Sequence, residues 1–110
     1  MLTFEEFCKS VLIVMTTFNR KKVTEICLKQ LEATKKEATL WVVDDHSTEM
    51  TLTEIQNWAP KATVKQIGLS KMGITPLRLE IQKQALLTSF KYIYHTDNDA
   101  YHDPQWLLRF

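Results

Sequence analysis

The sequence predicts an α/β fold built on a mostly parallel sheet of about four strands with flanking helices. Three observations lead there. Short aliphatic runs alternate with amphipathic segments in the order β-α-β-α-β-α-β, which fits parallel strands joined by right-handed crossovers. Two runs, Val11-Leu12-Ile13-Val14-Met15 and Leu40-Trp41-Val42-Val43, are apolar at every position, as strands covered on both faces are. Three strands then stop in polar clusters, at residues 16–19, 44–47 and 97–99. In open parallel sheets ligands sit at the carboxyl ends of strands, so clusters repeated along that edge imply a site.

Residues 1–10 mix Leu2, Phe4, Phe7 and Cys8 with acids and read as a short lead-in helix or turn. The first strand, 11–15, runs into Thr16-Thr17-Phe18-Asn19-Arg20. Asn19 suits an N-cap, and Val23, Ile26, Cys27 and Leu31 follow at helical spacing until the pattern fades near residues 33–37. The second strand, 40–43, ends in Asp44-Asp45 and His46-Ser47-Thr48. Thr51-Leu52-Thr53-Glu54 has the form of a capping box, with Leu52, Ile55 and Ala59 on one face and Pro60 as the stop. Residues 62–67 alternate like an edge strand that Gly68 ends, and a loop with Gly73 leads to Thr75-Pro76, a cap followed by Pro at the first helical position. Leu77, Ile81, Ala85 and Leu86 form that helix's inward stripe. The fourth strand covers 92–96, and Asp103-Pro104 opens a last short helix.

At 110 residues the chain suits a single domain over residues 1–110. Its 45% hydrophobic and 25% charged residues are ordinary for a globular protein. Fourteen basic against thirteen acidic residues give a net charge of +1, too little for broad attraction to nucleic acid or acidic lipid. Cys8 and Cys27 form no CxxC and fit free thiols in a reducing compartment. The apolar run 11–15 falls far short of the roughly 20 residues a transmembrane helix needs, and residues 1–10 lack a signal-peptide core. No transmembrane segment and a cytoplasmic location are therefore expected.

The chemistry concentrates in the three clusters. Asp97 and Asp99 are one residue apart at a strand end, where side chains at i and i+2 point the same way. Two such carboxylates suit a hard cation such as Mg²⁺ or Mn²⁺, although Asp-Asn-Asp also suits a tight turn. Asp45 is placed to accept hydrogen bonds from a base N–H or a ribose hydroxyl; capping of the next helix is the alternative. Thr16 and Asn19 would line a nucleotide pocket with Phe18 available to stack on a base, or simply form a helix entry. Arg78 would neutralise phosphate or remain a solvated helix residue. His46, His95 and His102 read as surface or packed residues, and Tyr101 and Trp106 as packing residues.

Taken together, Val11 to Arg20, Val42-Val43-Asp44-Asp45-His46-Ser47-Thr48, the five-residue spacing of Gly73 and Arg78, and the Asp97-Asn98-Asp99 strand end with its following Pro104 resemble the N-terminal, nucleotide-binding half of a family 2 glycosyltransferase. The resemblance covers about residues 11–107. It implies a Rossmann-like GT-A fold truncated at its C-terminus, a nucleoside diphosphate sugar of UDP or GDP type as donor, and Mn²⁺ or Mg²⁺. It further implies Thr16 and Phe18 at the base, Asp45 hydrogen-bonded to it, Arg78 near the phosphates, Asp97 at the ribose or metal and Asp99 on the metal. The resemblance also implies, as the parent reaction, inverting transfer to a hydroxyl acceptor of unknown identity. Leu79 stands where the family has Asn, and Pro76-Leu77 where it has small residues, which alters the loop's contacts with the donor. The acid that deprotonates the acceptor falls beyond Phe110 in the family, so the catalytic base is unknown here, and a longer protein or a second chain is expected to complete the site.

Two rival readings are non-catalytic. Val42-Val43-Asp44-Asp45 also resembles the acidic start of a phospho-receiver domain, but a full strand and helix precede it. A partner-binding module is the other, in which Trp106, Leu107, Leu108 and Phe110 self-associate or meet a partner chain.

Overall fold

The computed structural model of the chain describes residues 2–109. Helix α1 (Phe4–Lys9) leads into strand β1 (Val11–Thr17), followed by α2 (Lys21–Thr34), β2 (Thr39–Asp44), α3 (Leu52–Trp58), β3 (Thr63–Gln66), α4 (Ile74–Ala85), β4 (Tyr92–Asp97) and the 3-10 turn η1 (Trp106–Arg109). The four strands form one all-parallel sheet in the order β3-β2-β1-β4. This is the expected α/β architecture. Chain order runs outward from β1 to β3, then α4 carries it back to β4 on the opposite side of β1. The carboxyl ends of β1 and β4 therefore flank the place where strand order reverses, the usual position of a ligand crevice.

The unbroken apolar run of β1 has a direct structural cause. All seven of its residues are buried. Val11, Ile13 and Met15 face a core shared with Leu28, Leu31 and Ile55, while Leu12 and Val14 face a second core with Leu77, Ile81 and Ala85. With apolar layers on both faces, neither alternate set of side chains is left for water. Cys8 and Cys27 are buried free thiols, and burial pushes both thiol pKa values up. Among the described residues no helix is long and apolar enough to cross a membrane.

Several local expectations shift. Asn19 is not the N-cap of α2; that position belongs to Arg20, in a left-handed conformation without a side-chain cap bond. The inward face of α2 is Thr24, Cys27, Leu28, Leu31 and Thr34, which leaves Val23 and Ile26 exposed. Thr24 sets that phase because its hydroxyl bonds the Asn19 carbonyl and receives the Asn98 amide. Helix α4 starts at Ile74 with Gly73 as its N-cap, so Pro76 is the third helical residue. There its missing N–H still costs nothing, because first-turn N–H groups have no intrahelical partner. Leu86 is exposed rather than inward. At the C-terminal end, the Asp103 carboxylate and carbonyl accept from Gln105 and Trp106, and η1 starts at Trp106 rather than at Pro104. The expected apolar C-terminal face is smaller than its sequence: Leu107 lies in the core and Trp106 packs against it, donating Nε1–H to Thr34, while Leu108 is exposed. Phe110 lies outside the described residues.

Candidate ligand cleft at the carboxyl edge of the sheet

The site is assembled from three strand ends and one loop. Asp44, the last residue of β2, is 1% exposed and ties the edge together. Its Oδ1 accepts from the hydroxyls of Thr17 (2.7 Å) and Ser47 (2.6 Å), and its Oδ2 from the Ser47 N–H (2.9 Å) and weakly from Gln66 Nε2 (3.5 Å). Ser47 Oγ in turn receives the Asn19 N–H at 2.7 Å. The Asn19 side chain accepts from the N–H groups of Thr48 and Glu49 at 2.8 and 3.0 Å. The turns after β1 and β2 are thus stitched to each other, and each supplies the other's unmet donors.

Asp45 extends the β1–β2 ladder by donating its N–H to the Thr17 carbonyl at 2.8 Å. Its carboxylate, 4% exposed, accepts from the N–H groups of Met72 (2.8 Å) and Gly73 (2.9 Å). That pair of charge-assisted bonds pins the loop between β3 and α4 against the cleft. Gly73, at φ 84°, is where the loop turns into α4, a backbone angle that favours glycine. His46 Nε2 lies 3.3 and 3.1 Å from the carbonyls of Ile67 and Gly68 and braces the far end of the same loop.

The Asp-Asn-Asp motif divides by direction. Asn98 turns inward, 9% exposed, and donates to Thr24 Oγ1 (2.8 Å) and the Asn19 carbonyl (3.2 Å). Asp97 and Asp99 face the cleft on either side of it. Each is paired with a guanidinium: Asp97 with Arg78 at 3.2 Å and Asp99 with Arg20 at 2.9 Å.

The resulting cleft has a volume of about 380 Å³ and is lined by Thr16, Thr17, Phe18, Asp45, Lys71, Gly73, Ile74, Leu77, Asp97, Asn98 and Asp99. That lies within the usual range of small-molecule sites, about 300–1,000 Å³. Of the sequence-predicted site residues, Thr16, Phe18, Asp45, Asp97 and Asp99 are brought together in its wall, whereas Asn19 is not, its side chain being held by Thr48 and Glu49. Arg78 is not in the wall and reaches the site through Asp97. His46, His95 and His102 also stand outside the wall. Burial pushes the His102 imidazole below its ordinary pKa, and burial together with Arg78 does the same to His95. Sequence reasoning missed Lys71, whose ammonium lies 4.0 Å from the centre of the Phe18 ring, as well as Arg20 and the inward Asn98. No local pattern marked them, since their partners lie elsewhere in the chain.

Among the described residues no group of three or more His, Cys, Asp or Glu side chains is placed to hold a metal. Two exposed carboxylates at one cleft edge fit Mg²⁺ or Mn²⁺, which keep several coordination positions for water and ligand phosphate. They do not make an all-protein cage. The residues present therefore fit a cation that arrives with an oxyanion ligand.

A doubly covered parallel sheet with a carboxylate-flanked cleft at its strand-order reversal defines an α/β protein of the GT-A-like kind. The chain belongs to glycosyl transferase family 2, whose model matches residues 12–110. Its fold is similar to the crystal structure of S. aureus TarS 1-349, with a TM-score of 0.72 and 25% sequence identity, covering 90% of this chain and 30% of that one. The chain thus spans about a third of the length of that structure. No curated protein matches the sequence.

Proposed function

We propose that the chain is the donor-binding part of a glycosyltransferase, holding a nucleoside diphosphate sugar of UDP or GDP type together with Mn²⁺ or Mg²⁺. The observation that carries this reading is the pairing of Asp97 and Asp99 across the inward Asn98, at the strand-order reversal and in the same cleft wall as Thr16 and Phe18. Phe18 would stack on the base, Thr16 would line its pocket, and Asp45 would accept a base N–H with lone pairs its two backbone bonds leave over. Asp97 and Asp99 would hold the divalent ion, which when bound offsets charge developing on the diphosphate leaving group. Arg78, one bond away through Asp97, adds positive charge to that side.

The parent reaction is read as inverting transfer to a hydroxyl acceptor, and no residue of this chain is assigned as the base that takes the acceptor's proton. The free, buried Cys8 and Cys27 suit a cytoplasmic setting. A receiver-like reading fits less well, because Asp44 is occupied by Thr17 and Ser47 and lies on β2. Calorimetric titration of UDP and GDP, each with and without Mn²⁺, tests the proposal. Metal-dependent binding of at least one nucleotide is expected; binding of neither, with or without the ion, overturns it.

A further inference from the structure

Asn19 and Arg20 both have positive φ, 55° and 60°, a region that residues with side chains seldom occupy and rarely in succession. An ordinary helix entry would place an Asn, Ser or Asp cap here in extended backbone. The unusual conformation persists because Asn19 is held from every side: its N–H by Ser47, its side-chain oxygen by Thr48 and Glu49, and its carbonyl by Thr24 and Asn98. Arg20 is fixed at its own N–H by Glu49 Oε1 (3.2 Å). Strain kept in place by this many partners is typical of ligand clamps. Its product is the placement of Arg20 Nη1 2.9 Å from Oδ2 of Asp99, a residue of the cleft wall.

We propose that Arg20 is a donor-binding residue, whose guanidinium holds Asp99 until a nucleotide diphosphate and its divalent cation arrive and then transfers to the phosphates. This rests on the reading of the cleft as a nucleotide-sugar site. The Arg20–Asp99 pair is suited to exchange, since its side chains are 63% and 51% exposed and water screens their attraction. A cation taken up by Asp99 competes for the same carboxylate and repels the guanidinium. The released fork of N–H donors then stands beside an anion whose oxygens match it. Charge balances throughout, because the divalent ion and the doubly negative diphosphate of a sugar nucleotide enter as a neutral pair. The backbone of Arg20 need not move, as Glu49 and the Asn19 bonds hold the pivot.

Arg20→Gly and Arg20→Lys test this. Glycine suits the left-handed backbone, so Arg20→Gly should melt no lower than wild type, which separates folding from binding. Calorimetry with UDP and Mn²⁺ is expected to show affinity lower by about tenfold or more for Arg20→Gly, a smaller loss for Arg20→Lys, and unchanged affinity for uridine. Mn²⁺ alone, followed by electron paramagnetic resonance, is expected to bind Arg20→Gly more tightly, because Asp99 is no longer occupied. UDP affinity within twofold of wild type, or equal losses for uridine and UDP, overturns the phosphate role, and Mn²⁺ affinity that does not rise overturns the exchange. Failure of wild type to bind any nucleotide defeats the reading of the cleft itself, a separate outcome.

Discussion

Replacing Asp44 by Asn should destabilise the chain by a large fraction of its total stability. In Asp44→Asn, one oxygen can still receive the Thr17 and Ser47 hydroxyls, but the amide NH₂ then faces the Ser47 N–H that Oδ2 now accepts at 2.9 Å. Flipping the amide strands the two hydroxyl hydrogens instead. Hydrogen bonds to a charged group contribute about 1.5–3 kcal/mol each, so one lost bond plus a donor–donor contact should cost about 2–3 kcal/mol. A domain of this size holds about 5–15 kcal/mol in all. The melting temperature should fall by about 10–20 °C. Urea titration reads the effect as a lower midpoint with an unchanged slope. Gln66→Ala is the internal control, since its 3.5 Å contact should be worth no more than about 0.5 kcal/mol. A loss below about 1 kcal/mol for Asp44→Asn, or one equal to that of Gln66→Ala, would refute the idea that Asp44 binds the sheet edge together.

Two further outcomes follow from the same geometry. Lys71→Ala should uncover the Phe18 ring and raise uridine affinity about two- to fivefold, the equivalent of an exposed cation–π contact of about 0.5–1 kcal/mol; unchanged or weaker uridine binding by calorimetry would count against Phe18 as the stacking platform. His95 and His102 both have folded pKa values held below the ordinary 6.5, so the unfolded chain takes up protons first as pH falls. Their contribution is thus complete above about pH 6.5 and is lost as pH falls toward the folded values. Urea midpoints measured from about pH 8 to about pH 5 should drop, and His102→Gln should flatten that slope; equal slopes for variant and wild type would exclude His102 as a cause.

The succession of elements, parallel pairing and the clustering of polar strand ends were legible because each depends on runs of neighbouring residues. Burial on both faces leaves its mark directly in Val11 to Met15. What could not be read depends on partners remote in sequence. Apolar periodicity counted Val23 and Ile26 as inward, but Thr24 takes the interior because Asn98, on the far side of the sheet edge, needs an acceptor. Asn19 looked like a cap since its side chain suits one; instead it caps the turn at Thr48 and Glu49, and the helix entry is left to a left-handed Arg20. The paired carboxylates at 97 and 99 were recognisable from strand alternation, whereas their arginine partners came from α4 and from the β1 turn.

The inward bond of Asn98 also governs when the site comes into being. It joins residues 74 positions apart, and the Arg20–Asp99 contact joins residues 79 apart, so the cleft is closed by some of the longest chain separations in the fold. Contacts of that separation form late, after the entropy of a large loop has been overcome. During synthesis, which proceeds from the N-terminus, β1, β2 and their stitched turns can associate while residues 92–99 are still to emerge. The wall of the cleft is therefore incomplete until β4 docks on β1 and Asn98 closes on Thr24.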